Sequence, residues 1–245
     1  MTVLDLAFLV VAGFATGVVG YVTGLASIVS YPALLAVGLS PVAANVTNTV
    51  SLVAVGVGAT AKASGKLFER GRTLAIWSAC AAAGGIVGAV LLLASPADAF
   101  QLVVPYLVGA ASIALLAQPI VRRHIGDAQV PHIIPVSVFL VSIYGGYFGA
   151  GAGVIFISLL LVFTAETMWD TAILKSFLLG VSNLVAAVGF AVFGPVNWTA
   201  ALALGAGALV GGWCGPPIVA VIPPTFLRIA VGIGGLGLAL WLALT

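Results

Sequence analysis

The sequence predicts an all-α integral membrane protein with about eight transmembrane helices. Charged residues make up only 6% of the 245 residues, whereas folded soluble domains are about a quarter charged. Hydrophobic residues make up 62% of the chain, and the mean hydropathy is +1.30. No charged residue lies between Asp5 and Lys62, or between Lys175 and Arg228. Because a spanning helix needs about 20 apolar residues, the chain has room for about eight spans and short turns.

Turn signals divide the apolar chain into these spans. Residues 6–61 are too long for one span, and the sequence Gly-Leu-Ser-Pro at 38–41 divides them into two. The third and fourth spans are predicted at 74–94 and 100–121, followed by a connecting loop at 126–132. The fifth to eighth spans are predicted at 133–164, 169–193, 198–221 and from 223 to the C-terminus.

The two halves of the chain show an internal repeat. A shift of 126 residues places Gly20-Tyr21 on Gly146-Tyr147, and a shift of 127 places the glycine-rich segment 84–88 on 211–215. These matches predict a first four-helix repeat at 1–125 and a second at 133–245. Because four is an even number of spans, the repeats are expected to be parallel, related by an axis along the membrane normal.

The placement of basic residues predicts the orientation. If the eight spans alternate in direction, the basic residues outside the spans of the first half fall on one side: Lys66, Arg70, Arg72, Arg122 and Arg123. The positive-inside rule makes that side cytoplasmic, so both termini are expected in the cytoplasm, for a chain in a bacterial inner membrane. Arg228 is the exception, because it falls on the opposite side.

The first and fifth apolar segments are predicted to be broken helices. Residues 6–38 would form a straight helix of about 50 Å, whereas the apolar core of a bilayer is about 30 Å thick. Glycine clusters interrupt both segments, at 20–24 and at 145–153. The N-terminus of a half-helix exposes N–H groups that favour an anion, and paired broken helices mark transport sites. The alternative is that these glycines only allow close helix packing.

Polar residues inside the second and sixth spans are further candidates. Asn45, Asn48 and Thr49 share one face of the second span. Lys175 lies in the sixth span, where it either extends to the membrane interface or faces a cavity and attracts an anion. Asn183 lies about two turns further along the sixth span. Asn183, like Asn45, Asn48 and Thr49, can instead form hydrogen bonds between helices.

Several classes of function find no support in the sequence. No acidic residue lies inside a predicted span, so no proton relay or sodium site is visible. Both histidines, His124 and His132, lie in the central connection, which excludes a Ser-His-Asp set and metal-ligand spacing. No basic surface with interleaved aromatic residues indicates nucleic acid. We therefore predict no enzyme, no cofactor and no metal.

The glycine-rich segments resemble those of a known family. The residues that carry this resemblance are segment 30–44, which begins Ser-Tyr-Pro-Ala-Leu-Leu, segment 145–153, and the repeated Gly-Gly-x-x-Gly at 84–88 and 211–215. They resemble the TauE/SafE family of sulfite exporters and related sulfur-anion permeases. The resemblance implies a secondary transporter of sulfite and organosulfonates that works by alternating access. Its implied partners are a small anionic substrate and the lipid bilayer, and a homodimer is one assembly that it allows.

The resemblance also implies a substrate region at the two breaks and the polar helix starts. By position, its residues are Thr23, Ser27, Asn45, Asn48, Thr49, Tyr147, Gly149, Gly151, Lys175 and Ser176. The first break has Leu-Ala-Ser at 25–27 where a glycine cluster is expected. The second break is therefore expected to dominate the contact with the anion. Two alternatives to a transporter are an anion channel and a membrane assembly subunit whose polar residues only join helices.

Overall fold

The computed structural model describes residues 1–124, 131–164, 168–221 and 224–244, and these residues form helices and short turns without a strand. The α-helices of the first half are α1 (Val3–Thr23), α2 (Ala26–Ala36), α3 (Pro41–Phe68), α4 (Gly71–Ala94) and α5 (Ala97–His124). Those of the second half are α6 (Ile134–Tyr147), α7 (Ala152–Phe163), α8 (Met168–Phe193), α9 (Trp198–Val221) and α10 (Pro224–Leu244). A 3-10 turn, Pro131–Ile133, precedes α6. Most of the connecting loop predicted at 126–132 lies outside the described residues.

Among the described residues, five helices contain an apolar stretch of at least 18 residues that is long enough to cross a membrane. They are α1, α3, α4, α5 and α8. Many large apolar side chains point outward from these and other helices: Leu102 and Leu202, for example, are 70% and 72% exposed. Such a surface is stable against lipid, and the chain is therefore a multi-pass membrane protein.

Both interruptions predicted from the glycine clusters are present. The first follows Thr23, where Gly24 has a φ of 74° before α2 begins. The second follows Tyr147, where Gly149 and Gly151 have φ values of 79° and 84° before α7 begins. Glycine adopts a positive φ without the steric cost that a Cβ would bring, so the chain can turn sharply at these points.

The turn at the first break reverses the chain. Gly13 and Gly17 of α1 lie against Leu204 and Ala208 of α9, so residue numbers increase together and the two helices run parallel. A similar comparison shows that α3 also runs parallel to α9, because its residues 51 and 58 contact residues 201 and 209. Helices α1 and α3 therefore run in the same direction, and α2 returns the chain between them.

The second half is arranged in the same way but points the other way. Helix α4 runs parallel to α6, because Gly84 and Gly88 lie against Phe139 and Ile143. It also runs parallel to α8, since residues 85 and 89 contact residues 182 and 189.

Gly56 of α3 contacts Gly180 of α8, and Gly85 of α4 contacts Ser182, two residues further along α8. The middles of α3 and α4 therefore lie at the same depth, so α4 folds back against α3 after the two-residue turn between them. Helices α6 and α8 therefore run opposite to α1 and α3. Helices α5 and α10 are also antiparallel, since residues 109 and 116 lie against 239 and 232.

These directions correct two sequence-based predictions. The sequence counts each broken segment as one span, but among the described residues its two parts run in opposite directions, so each half contains five α-helices instead of four spans. Five is an odd number, so the corresponding helices of the two halves run in opposite directions. The predicted parallel relation is therefore wrong.

The two halves are interleaved through close backbone contacts. Helix α1 packs on α9 of the other half, and α6 packs on α4. A Cβ at Gly13 or Gly207 would overlap the backbone of the facing helix, so only glycine allows this approach. This interleaving brings the two breaks together in the middle of the bundle.

Candidate functional site

A cavity of about 40 Å³ lies where the two breaks meet the middle of α3 and α8. Its residues from the breaks are Gly20, Gly24, Ala26, Ser27 and Gly149. Its residues from α3 are Thr49, Leu52, Val55 and Gly56, and those from α8 are Lys175, Ser176, Leu179, Gly180 and Asn183. Since α3 has 28 residues and α8 has 26, Gly56 and Gly180 lie near the midpoints of these long helices. The cavity is therefore at mid-depth.

Lys175 is the charged residue of this cavity. Its side chain is only 2% exposed, and its Nζ donates a hydrogen bond of 2.9 Å to the carbonyl oxygen of Gly20, in the last turn of α1. The interface position that the sequence allowed for this lysine is therefore excluded. None of the residues that line the cavity is acidic. A buried cation that faces a mid-membrane cavity indicates a functional role, because burying a charge is costly.

Neutral hydrogen-bonding groups surround the lysine. The hydroxyls of Ser27, Thr49 and Ser176 and the amide of Asn183 belong to lining residues, and all four side chains are buried. Such groups, together with an ammonium, can replace the hydration of a small oxyanion. In the described part of the chain, no three His, Cys, Asp or Glu residues are grouped to hold a metal ion.

The N-terminus of α2 opens on this cavity. Ala26 and Ser27 are its first two residues and both line the cavity, and no side chain caps this end of the helix. Free N–H groups at a helix start favour an anion. The first residue of α7, in contrast, does not line the cavity. The first break thus contributes more of the wall than the second, contrary to the sequence-based expectation.

The two breaks are in direct contact. A Cβ built on Gly24 would lie only 2.5 Å from the carbonyl carbon of Gly153, and one built on Gly153 would lie 2.5 Å from the Cα of Gly24. Neither glycine can be replaced without moving the backbone of the other. This contact holds the two turns at a fixed distance.

Polar side chains of one half bind the broken helix of the other half. Lys175 of α8 binds Gly20 at the end of α1, and Asn45 of α3 donates a hydrogen bond of 2.8 Å from Nδ2 to the carbonyl oxygen of Tyr147, the last residue of α6. Gly20 and Tyr147 are 127 residues apart, which is the offset of the internal repeat. Each donor satisfies a carbonyl near the end of a helix, where the regular hydrogen bonds are lost.

Asn48 orients the short helix α2. Its Oδ1 accepts a hydrogen bond from the Ser30 hydroxyl, and its Nδ2 donates one of 3.1 Å to the Ser27 oxygen. Because the Ser27 oxygen accepts this bond, its own hydrogen is available to donate to a molecule in the cavity. Asn48 itself does not line the cavity.

The sequence-predicted residues divide into two groups. Five line the cavity: Ser27, Thr49, Gly149, Lys175 and Ser176. Four others support it: Asn45, Asn48, Tyr147 through its backbone, and Gly151, which directly precedes α7 as its N-cap and packs against Ala111. The side chain of Thr23 lies outside the described part of the structure.

Sequence reasoning missed several lining residues, among them Gly56 and Gly180. The repeat offset of 127 residues could have indicated some of them. It pairs Thr49 with Ser176 and Gly56 with Asn183, and all four residues line the cavity. Asn183, which the sequence favoured as a bond between helices, is one of these residues.

Comparison with known proteins identifies the family of the chain. A family model described as "Sulfite exporter TauE/SafE" matches residues 9–242. The chain is also 27% identical over 223 residues to the "Probable membrane transporter protein ORF9" of Sinorhizobium sp, covering 86% of this chain and 81% of that relative. No solved structure matches the chain significantly. The protein is thus a multi-pass membrane transporter, and it belongs to the TauE/SafE sulfite exporter family.

Proposed function

We propose that this protein carries sulfite, or a similarly small sulfur oxyanion, across the bacterial inner membrane by alternating access. The observation that supports this most is the mid-depth cavity with the buried Lys175 and the uncapped start of α2. Its donors include the Lys175 ammonium, the Ser27 hydroxyl, the Asn183 amide and the N–H groups at the start of α2, and its lining contains no carboxylate. This set of groups attracts an anion.

The size of the cavity favours the smallest members of the substrate class. A cavity needs about 10–15 Å³ to hold one water, so 40 Å³ has room for about three water-sized groups. Sulfite is a pyramidal anion with three oxygens and matches this space. An organosulfonate carries the same head group plus a carbon chain, so it requires the cavity to widen.

The opposite directions of the two halves support alternating access. The antiparallel pairs α1 and α6, α3 and α8, and α5 and α10 are those expected for inverted repeats, in which the two halves exchange conformations to open a central site to one side and then the other. Helices α3 and α8 cross at Gly56 and Gly180, where a Cβ on Gly56 would lie 2.7 Å from the Cα of Gly180. This crossing is a suitable pivot for such a movement.

The helix directions also revise the proposed orientation. One face of the helix bundle, opposite the chain termini, contains the ends of α3 and α5 and the start of α10. Four arginines lie in or next to these helix ends: Arg70, Arg122, Arg123 and Arg228. We call this the basic face. The positive-inside rule places it in the cytoplasm, so both termini lie on the other face, outside the cytoplasm. Arg228, which disagreed with the eight-span orientation, agrees with this one.

Reconstitution tests the function. Purified protein in liposomes should take up radiolabelled sulfite with saturable kinetics, because each substrate must bind the central cavity. Unlabelled sulfite should compete best, methanesulfonate less and taurine least, in order of increasing size, whereas acetate should not compete. Uptake equal to that of empty liposomes, or uptake that never saturates, would contradict the proposal; the second result would favour a channel.

A further inference from the structure

A second cavity lies on the face that carries both chain termini. Its volume is about 290 Å³, and α2, the start of α3, the start of α5 and the end of α10 surround it. Its lining residues include Tyr31, Leu35, Leu39, Pro41 and Gln101. We call it the outer cavity. It is separate from the central cavity, with which it shares no lining residue.

Tyr31 contains an unsatisfied hydroxyl in the wall of the outer cavity. The side chain is only 1% exposed, and its OH group is buried without a hydrogen-bond partner among the described residues. Buried polar groups normally have a partner, because an unmade hydrogen bond is costly. An orphan hydroxyl beside a cavity therefore points to a ligand that binds it.

The other polar features of the outer cavity favour an anion. Helix α3 begins here at Pro41, and no side chain caps its N-terminus. Pro41 has no N–H, so the N–H groups of Val42 and Ala43, together with the helix dipole, attract negative charge. Gln101 adds an amide with two N–H donors. No acidic residue lines this cavity.

An aromatic barrier separates the two cavities. The ring of Tyr31 packs edge-on against Phe148, with centroids 5.6 Å apart, and Phe100 also contacts Phe148, at 6.0 Å. Phe148 directly precedes Gly149, which lines the central cavity. On α2, Ser27 lines the central cavity and Tyr31, one turn later, lines the outer one. The Tyr31–Phe148 pair is thus the contact between them.

We propose that the outer cavity is a second binding site for a small oxyanion, through which the substrate passes between the central cavity and the face with the termini, and that Tyr31 is its gate. This rests on the proposed function. In the closed state the Tyr31 ring seals the central cavity. When the ring moves, its hydroxyl donates to an oxygen of the passing anion, which supplies the partner that is missing in the closed state.

Two substitutions separate the two roles of Tyr31. Tyr31→Phe keeps the ring and removes the hydroxyl, so we expect sulfite uptake to fall about fivefold while the barrier stays closed. Tyr31→Ala removes the ring and should open the barrier. Tyr106→Phe is the matched control: Tyr106 is 73% exposed on α5, and its substitution should change uptake less than twofold.

The rate of thiol labelling measures whether a reagent can pass the Tyr31–Phe148 barrier. Ser27→Cys, in a background without Cys80 and Cys214, places a thiol in the central cavity, and a membrane-impermeant thiol reagent is added from the face with the termini. We expect Tyr31→Ala to raise the labelling rate at least tenfold and Tyr31→Phe to leave it unchanged. In a separate variant, Leu35→Cys, saturating methanesulfonate, an oxyanion that does not react with thiol reagents, should slow labelling of the outer cavity at least threefold.

The outcomes distinguish the two proposals. If Ser27→Cys is labelled equally slowly with and without the Tyr31→Ala substitution, while the protein with Ser27 intact takes up sulfite, the gate is overturned and the transport function stays intact. Labelling of Leu35→Cys that is not slowed by methanesulfonate would overturn the outer anion site. Absence of sulfite uptake by the unmodified protein would instead refute the proposed function, whatever the labelling rates are.

Discussion

Lys175 offers the sharpest test of the central cavity. Lys175→Met keeps the length and most of the volume of the side chain but removes its charge and its three N–H donors. The side chain is 2% exposed, so water cannot replace the lost ammonium. The substitution also removes the hydrogen bond to Gly20. Substrate binding should therefore weaken far more than protein stability.

The size of the effect follows from the burial. Two unit charges about 4 Å apart interact by about 4 kcal/mol at an effective dielectric constant of about 20. Part of this is offset by the hydration that the anion loses on entering the cavity. Truncating one partner of a buried charge pair costs about 2–5 kcal/mol, and we expect about 2–3 kcal/mol here because the donors of Ser27 and Asn183 remain. This corresponds to about a 30- to 150-fold weaker affinity.

Counterflow of radiolabelled sulfite into proteoliposomes measures this change as the concentration for half-maximal uptake. Arg72→Met is the matched control, because it removes a positive charge from an exposed position at the start of α4. It should shift the half-saturating concentration less than twofold. A value for Lys175→Met within threefold of the unmodified protein would refute the assignment of Lys175 to the anion site.

Three further substitutions test the structure around the cavity, each measured as the free energy of unfolding in detergent. Gly24→Ala should destabilise the protein by about 2–5 kcal/mol, because it combines a positive φ with a clash against the facing backbone. Its control is Gly38→Ala, which has a φ of 86° but open space around it and should cost about 1–2 kcal/mol. Equal losses of stability would contradict the contact between the breaks. Asn45→Leu should cost about 1–3 kcal/mol, since it leaves the Tyr147 carbonyl unsatisfied, and an unchanged stability would exclude this cap. Gly13→Ala should cost about 1–3 kcal/mol of stability, because the added Cβ separates α1 from α9. Its control is Gly234→Ala, whose added Cβ meets no atom within 4 Å, so it should be neutral or stabilise by up to about 1 kcal/mol. The reverse order would refute the α1–α9 packing.

The sequence was informative where the physical cause is local. The two breaks were predictable because a glycine cluster inside an overlong apolar segment permits the positive φ values seen at Gly24, Gly149 and Gly151. Lys175 was a candidate because a charge in an apolar helix needs a polar environment. Both features depend on a few consecutive residues, and five of the ten predicted site residues line the cavity.

The directions of the helices were not predictable in this way. Hydropathy reports how apolar a segment is but not the direction in which it runs. The short apolar helix α2 would therefore give the same signal whether it continued α1 across the membrane or turned back. The reversal is decided by tertiary contacts, such as Asn48 with Ser27 and Gly24 with Gly153, which join residues far apart in the chain. Counting each broken segment as one span then led to the wrong relation between the two repeats.

The most direct test of the account is to locate the anion. Selenite has the pyramidal shape of sulfite, and its selenium atom gives anomalous scattering that identifies its position. An experimental structure of the protein with saturating selenite should show an anomalous peak in the central cavity, within hydrogen-bonding distance of Lys175 Nζ and close to Ser27. A protein that transports sulfite but shows its selenium peak only outside this cavity would contradict the account.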